Sequence, residues 1–361
     1  MDTRAAQYST QDKTAQAGSL RVVAIGGGTG LSTLLKGLKK FAPSPAESTT
    51  AKGSSPSIRD LCAVVTVSDD GGSSGRLRKE FNMLPPGDIR NCIVALSEDE
   101  ALLSKLFRHR FEKGSGLEGH SFGNLFLAAL TSLTSDFSEA VRLSSEILLT
   151  RGHIYPATTS SIELEALMED GTRVRGETKI TASKGRIREL FLVPADVGPM
   201  PQTLEAIANA DLITIGPGSL FTSLIPNLLV RGISQAIVES RATKVYICNL
   251  MTQANESLGL TAADHIRALN RHAQGPIFDY ALINRTPVSN DLKAKYALEG
   301  ACQIVNDLED VETLGVIPVL GDYLEEAGVA RHNFTRAAKD VLELAVHGAR
   351  GVRSKTSANN C

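Results

Sequence analysis

Gly26, Gly27, Gly28, Thr29 and Gly30 put four glycines in five positions. They follow the apolar run Val22-Val23-Ala24-Ile25 and precede a helix-compatible segment at 31–40. Glycine accepts positive φ and lets a ligand approach the backbone closely. Amides exposed at a helix start favour an anion, usually a phosphate. The pattern therefore points to a phosphate-binding strand–loop–helix. It is not a Walker loop, because no Gly-Lys-Ser/Thr closes it, and GxGxxG fails because Leu31 stands where the last glycine would fall. A merely tight structural turn is the plainer account of the same residues.

Asp69 and Asp70 form a second chemical centre, in Ser68-Asp69-Asp70-Gly71-Gly72-Ser73-Ser74-Gly75. They come straight off another apolar run, 61–67. Such a carboxylate pair could hold a substrate hydroxyl or a divalent metal such as Mg²⁺; Asp and Gly also suit an ordinary turn. Arg76, Arg78 and Lys79 follow, readable as phosphate contacts or as a solvated helix face. In Pro85-Pro86-Gly87-Asp88-Ile89-Arg90, Asp88 is placed as an N-cap. Arg90 so near a helix start runs against the macrodipole, which a ligand phosphate or a surface salt bridge would explain. His120 and Asn124 sit where a helix begins; a lone histidine there is more often structural. Gly216, Gly218 and Ser219 repeat the strand–Gly/Ser loop–helix pattern after the apolar run 212–215. One nucleotide diphosphate could bridge two such loops.

These groups need elements to position them. Apolar runs at 22–25, 61–67, 212–215, 244–250 and 278–283, separated by helical periodicity, predict a parallel sheet of βαβ units. Ligands of such sheets bind outside the carboxyl ends of the strands, so both glycine loops and the Asp69 loop should share one edge. Helical periodicity runs over 89–111, 122–133 and 137–149, then 261–269 with Thr261 as N-cap. A last helix at 334–346 is capped by Asn333. Alternation at 162–168, then Asp170-Gly171 and a return strand at 172–177, predicts a β-hairpin, with a further strand at 187–193. The fold class is α/β, mostly parallel with helices on both faces and a small antiparallel insertion. Its limits are a disordered tail at 1–19, one domain at 20–353 with a lobe at about 150–195, and a tail at 354–361. The Pro/Ser-rich stretch 42–57 reads as a surface loop.

Composition narrows the function. Across 361 residues, Lys plus Arg is 38 and Asp plus Glu is 40, a net −2 that argues against a nucleic-acid footprint. Aromatics are 5% and tryptophan is absent, which weakens a base-stacking platform. No run approaches the roughly 18 apolar residues of a membrane span, and no h-region marks a signal peptide. Cys62, Cys92, Cys248, Cys302 and Cys361 are scattered without CxxC, as free thiols of a cytoplasmic protein would be. No HExxH, metal-ligand spacing or GxSxG elbow is present. A dehydrogenase would need a ribose-binding acid roughly 20 residues past the last glycine. Glu47 and Asp60 are poorly placed for that role.

Six stretches in register carry a resemblance: GGGTGLSTLLKGLK from Gly26, VSDDGGSSGRLR from Val67, PPGDIRNCIVAL from Pro85, GHSFGNLFLAAL from Gly119, IGPGSLFTSLIPNLLV from Ile215 and NLMTQANESLGLTAADHI from Asn249. Together they resemble the gluconeogenesis factor family, the bacterial YvcK-type proteins related to 2-phospho-L-lactate transferase. The resemblance covers about 20–347. It implies a Rossmann-like fold, a UDP-sugar ligand such as UDP-N-acetylglucosamine, and a cytoplasmic role in carbon metabolism, cell shape and cell-wall precursor supply without an established reaction. It implies that Tyr296 in YALEGA and Arg331 in ARHN contact the nucleotide sugar. By likeness to the transferases, in which an aspartate after the second strand and a nearby arginine help bind the deazaflavin, Asp69 or Asp70 and Arg90 are the matching positions.

Three functions follow as expectations. One is a nucleotide-sugar-binding factor, with both glycine loops cradling the diphosphate and Asp69 and Asp70 lining the rest of the cleft. The second is a phospho-group transferase, with Asp69 and Asp70 holding a divalent metal or acceptor hydroxyl and Arg76 or Arg90 stabilising transferred charge. The third is an interaction scaffold, with homo-oligomers left open.

Overall fold

The computed structural model describes residues 19–43, 56–98, 102–183 and 185–358. The expected N-terminal tail up to residue 18, Glu47 with most of the 42–57 loop, and Cys361 lie outside the described residues.

Seven strands form the main sheet: β1 (Ser19–Gly26), β2 (Ser57–Val65), β3 (His153–Pro156), β7 (Leu212–Ile215), β8 (Thr243–Ile247), β9 (Tyr280–Asn284) and β10 (Ile317–Gly321). Between β3 and β7 come β4 (Glu163–Met168), β5 (Arg173–Arg175) and β6 (Ile187–Val193), and β11 (Leu324–Glu326) and β12 (Ala330–His332) close the series. The main sheet runs β10-β9-β8-β7-β1-β2-β3, and every pairing in it is parallel. Val22 of β1 faces Leu61 on one side and Leu212 on the other. A strand covered on both faces must be apolar throughout. Val22, Val23, Ala24 and Ile25 are accordingly all buried, as are Leu61 to Val65 of β2.

The chain builds β1, β2 and β3 in one direction, then returns to add β7 on the other side of β1. Right-handed crossovers that reverse direction put their helices on opposite faces. One group is the helix Gly28–Lys39, packed on Gly87–Leu96 and on the last helix, Phe334–Ala358. The other includes Pro201–Asn209, Ile233–Glu239 and Ala262–His272. The reversal lies between β1 and β7, and beyond their carboxyl ends is where such a fold takes a ligand.

The hairpin forms as expected, with β4 and β5 antiparallel around Asp170 and Gly171. β6 joins on the other side of β4, making a three-stranded sheet. The return strand stops at Arg175, and Glu177–Ala182 is helical. β3 belongs to the main sheet, so the antiparallel insertion begins at Glu163 rather than near 150. The single helix expected over 89–111 is two, Gly87–Leu96 and Leu102–Arg108. Ser97 explains the break: its hydroxyl bonds Val94 C=O and Ser104 Oγ, a local alternative to helix continuation. Thr261 caps its helix through a capping box with Asp264, and Asn333 Oδ1 takes the Arg336 amide. The last helix runs on through Ser354 to Ala358.

The loops after β1 and β7 touch through their backbones. A Cβ at Gly30 would stand 2.2 Å from Pro217 O, so only glycine lets them meet. Gly30→Ala is expected to cost about 1–3 kcal/mol of stability, the usual penalty of overpacking. Urea unfolding reads this as a lower midpoint at unchanged slope; an unchanged midpoint would mean the contact is dispensable.

Candidate functional site

The carboxyl ends of β1, β7 and β8 deliver Gly27 to Gly30, Pro217 to Ser219, and Asn249 to Gln253 to one cleft of about 380 Å³. Tyr296, Arg331 and His332 close it from late in the chain. Of the residues singled out by sequence, Gly27, Gly28, Thr29, Gly30, Gly218, Ser219, Tyr296 and Arg331 come together here. Gly26 and Gly216 stand behind the lining: Gly26 C=O accepts from Thr66 N and Asn227 Nδ2, and Gly216 N donates to Ile25 C=O.

Gly28 takes φ +62°, a left-handed conformation that favours glycine. Its amide donates to Asp88 Oδ2 at 2.7 Å. Asp88 is thus not the N-cap of its own helix. That helix starts at Gly87 after Pro86, and the Asp88 side chain reaches instead to the start of the β1-loop helix. No described residue accepts from the Thr29 and Gly30 amides, which the first turn of a helix cannot satisfy internally.

The second loop is held in the same manner. Buried Glu256 accepts the Phe221 and Thr222 amides, in the first turn of the helical stretch Leu220–Leu224 that continues as Ile225–Leu229, on Oε1 at 2.7 and 2.9 Å. Asn249 clamps Gly218, accepting its N–H at 3.1 Å and donating to its C=O at 2.8 Å. Gln253 Nε2 donates to Ser219 Oγ at 2.9 Å, which leaves the buried Gln253 Oε1 without a partner among the described residues. Tyr296 Oη accepts from Ala330 N at 3.2 Å, tying the helix Asn290–Ala297 to β12. Neighbouring Arg331 is exposed. His332 is buried and donates from Nε2 to Cys248 C=O; burial drives its pKa down to about 4, so the ring is neutral near pH 7.

Asp69, Asp70 and Arg90 do not line this cleft. They belong to a polar cluster beyond β2, on the far side of β1 from β7. Asp69 Oδ1 accepts from Gly71 N, and Asp70 Oδ1 from Thr178 N and Oγ1, which pulls it toward the antiparallel insertion. Glu177 accepts from Ser68 Oγ, and burial beside Asp69 and Asp88 pushes its pKa up to about 9. Asp88 is raised to about 6, first by burial; the Gly28 amide opposes the shift and Asp69 adds to it. Arg90 donates to Ser121 Oγ and Asn91 Oδ1, its buried Nε has no partner among the described residues, and burial lowers its pKa. Ser73 Oγ lies 2.9 Å from His120 Nδ1 and accepts from Asn124 Nδ2. Arg76 and Arg78 donate to the backbone carbonyls of Glu118 and Ile162.

Among the described residues no group of three or more His, Cys, Asp or Glu side chains is placed to hold a metal ion. One oxygen of each, Asp69 Oδ1 and Asp70 Oδ1, accepts from chain donors.

Sequence reasoning missed the roles of Asp88, Asn249, Gln253 and Glu256. Their signal was slight: a carboxylate beside a helix start, and polar residues after β8.

Residues 22–324 match the model of the 2-phospho-L-lactate transferase CofD family. The chain is 50% identical to the gluconeogenesis factor of Halalkalibacterium halodurans over 324 residues, 89% of this chain and 95% of that protein. It is 45% identical to the gluconeogenesis factor of Bacillus subtilis, over 90% and 98%. A crystal structure of a UPF0052 family member from Bacillus halodurans superposes with a TM-score of 0.84 at 48% identity, covering 90% of this chain and 99% of that one.

The acidic cluster has a consequence for stability. Glu177 holds its proton more tightly when folded than its ordinary 4.5 allows, so stability falls as pH rises from about 4.5 to about 9. Glu177→Gln keeps an acceptor for Ser68 and removes the cost. It should gain on the order of 1–3 kcal/mol at pH 8 and flatten the slope. Urea melts at pH 5 and pH 8 check this; a slope as steep in the variant would clear Glu177 of the effect.

Proposed function

The chain belongs to the 2-phospho-L-lactate transferase (CofD) family, and from that membership and the make-up of its cleft we propose that it is a nucleotide-sugar-binding gluconeogenesis factor. In this reading a UDP-sugar such as UDP-N-acetylglucosamine lies across the carboxyl ends of β1 and β7. The factor serves growth on gluconeogenic carbon sources and cell shape, and acts in the cytoplasm. Among the described residues no single helix is long and apolar enough to cross a membrane. The observation that carries the reading is convergence: two glycine loops far apart in sequence, with Tyr296 and Arg331, line one cleft.

The Thr29 and Gly30 amides, which have no acceptor among the described residues, suit phosphate oxygens, since the start of a helix carries partial positive charge. Arg331 adds a fork that matches a diphosphate. Tyr296 offers a ring face beside a fixed hydroxyl. The polar wall from Asn249 to Gln253 faces sugar or base.

A phospholactate-type transferase is the second reading. What favours it is Asp88, which joins the Gly28 loop to the cluster of Asp69, Glu177 and Arg90. An acceptor bound at that cluster would lie next to the diphosphate. Its transferred charge would fall to Arg90.

Calorimetric titration with UDP-N-acetylglucosamine tests the first reading. Saturable binding is expected, with Arg331→Ala and Tyr296→Ala each weakening it about tenfold or more, the scale of 1.4 kcal/mol per contact. No saturable binding by the intact protein would sink the reading. Turnover of a nucleotide-activated substrate, lost in Arg90→Ala, would bring the transferase forward.

A further inference from the structure

The helix starts that look made for phosphate already carry anions. Asp88 occupies the Gly28 amide, and Glu256 the Phe221 and Thr222 amides. A helix start amounts to roughly half a positive charge. At each loop a carboxyl group hydrogen-bonded directly to these amides offsets that charge. Arg331 is then the one full positive charge among the described residues lining the cleft, since His332 is neutral and no described Lys, Asp or Glu lines it. The orphan Gln253 Oε1 adds a further acceptor, not a donor.

Such a cleft tolerates limited negative charge. A nucleotide sugar is a diphosphate diester, with one negative charge on each phosphate. A free nucleoside diphosphate ends in a phosphate monoester whose second proton leaves near pH 6, so at pH 7.5 it carries about three. We infer that the cleft selects diphosphate diesters over free nucleoside diphosphates, and that Asp88 and Glu256, standing behind the two loops, are the specificity-determining residues that set this limit. The inference rests on the nucleotide-sugar reading and adds to it which form of the nucleotide the site refuses. With no carboxylate lining the cleft, Mg²⁺ reaches the site only as a ligand's counter-ion. It therefore improves binding of the trianion and changes that of the diester little.

The test separates charge from sugar contacts by comparing UDP with its β-phosphate methyl ester, which has lost one charge and gained no sugar. Titration calorimetry at pH 7.5 in EDTA should find the methyl ester binding about tenfold tighter than UDP, equivalent to 1.4 kcal/mol. Added Mg²⁺ should narrow the gap. Asp88→Asn, which keeps an oxygen for the Gly28 amide, should shrink the ratio to about threefold or less. Glu256→Gln should do the same at the second loop, and serves alone if Asp88→Asn does not fold. UDP binding as tightly as its methyl ester in the intact protein overturns the inference. So does an undiminished ratio in the folded variants. If UDP-N-acetylglucosamine binds in either case, the nucleotide-sugar reading survives by itself. If none of the three ligands gives saturable heat, both fall.

Discussion

The site depends on how two helix starts are satisfied. The first amides of a helix have no partner within it, and a buried start must find acceptors elsewhere. Here the protein supplies carboxylates. Asp88 crosses from the helix after Pro86 to Gly28, and Glu256 crosses from beyond β8 to Phe221 and Thr222. Each bond fixes a loop that follows a central strand. The backbone contact of Gly30 with Pro217 then locks the two loops together. A cleft at the reversal point between β1 and β7 follows from these contacts.

Charge-assisted bonds of this kind are stronger than neutral ones, yet a carboxylate taken out of water resists ionisation. Asp88 shows both effects, because burial and Asp69 raise its pKa while the Gly28 amide lowers it. Glu256 is raised by burial and lowered by its two amide donors. The arrangement is stiff but electrostatically costly, and perturbed carboxylates of this kind gather at functional sites.

Legibility in the sequence followed the range of each interaction. β1 and β2 were readable because a strand buried on both faces is an apolar run, and the loops because glycine marks them. The hairpin at Asp170 was readable for its local turn chemistry. The break at Ser97 was not, since its hydroxyl competes with the helix only once Ser104 is beside it. In sequence Asp88 reads as a cap, because its real partner, Gly28, is sixty residues away. Tyr296 and Arg331 drew attention only through family resemblance. Taken alone, one is a half-buried tyrosine and the other an exposed arginine, and nothing local says that β11 and β12 carry Arg331 to the loop after β1. Asp69 and Asp70 share the sheet edge with the glycine loops, as one parallel sheet requires, but they line a neighbouring polar cluster, where Thr178 of the antiparallel insertion donates to Asp70.

Asp88 also makes the two polar regions one system. Its oxygen faces the cleft through Gly28, and its charge is felt by Glu177 and Arg90 on the other side. Negative charge gathered against Thr29 and Gly30 works against the ionised Asp88. A cation or proton beside Asp69 and Glu177 works in its favour. By linkage these influences are reciprocal: whatever eases an anion into the cleft must be eased in turn by that anion. A binding factor would use that coupling to report on its ligand, and a transferase would use it to bring an acceptor to a donor. The two readings of the chain therefore differ in what occupies the cluster beyond β2, while sharing the diphosphate cleft and the carboxylate between them.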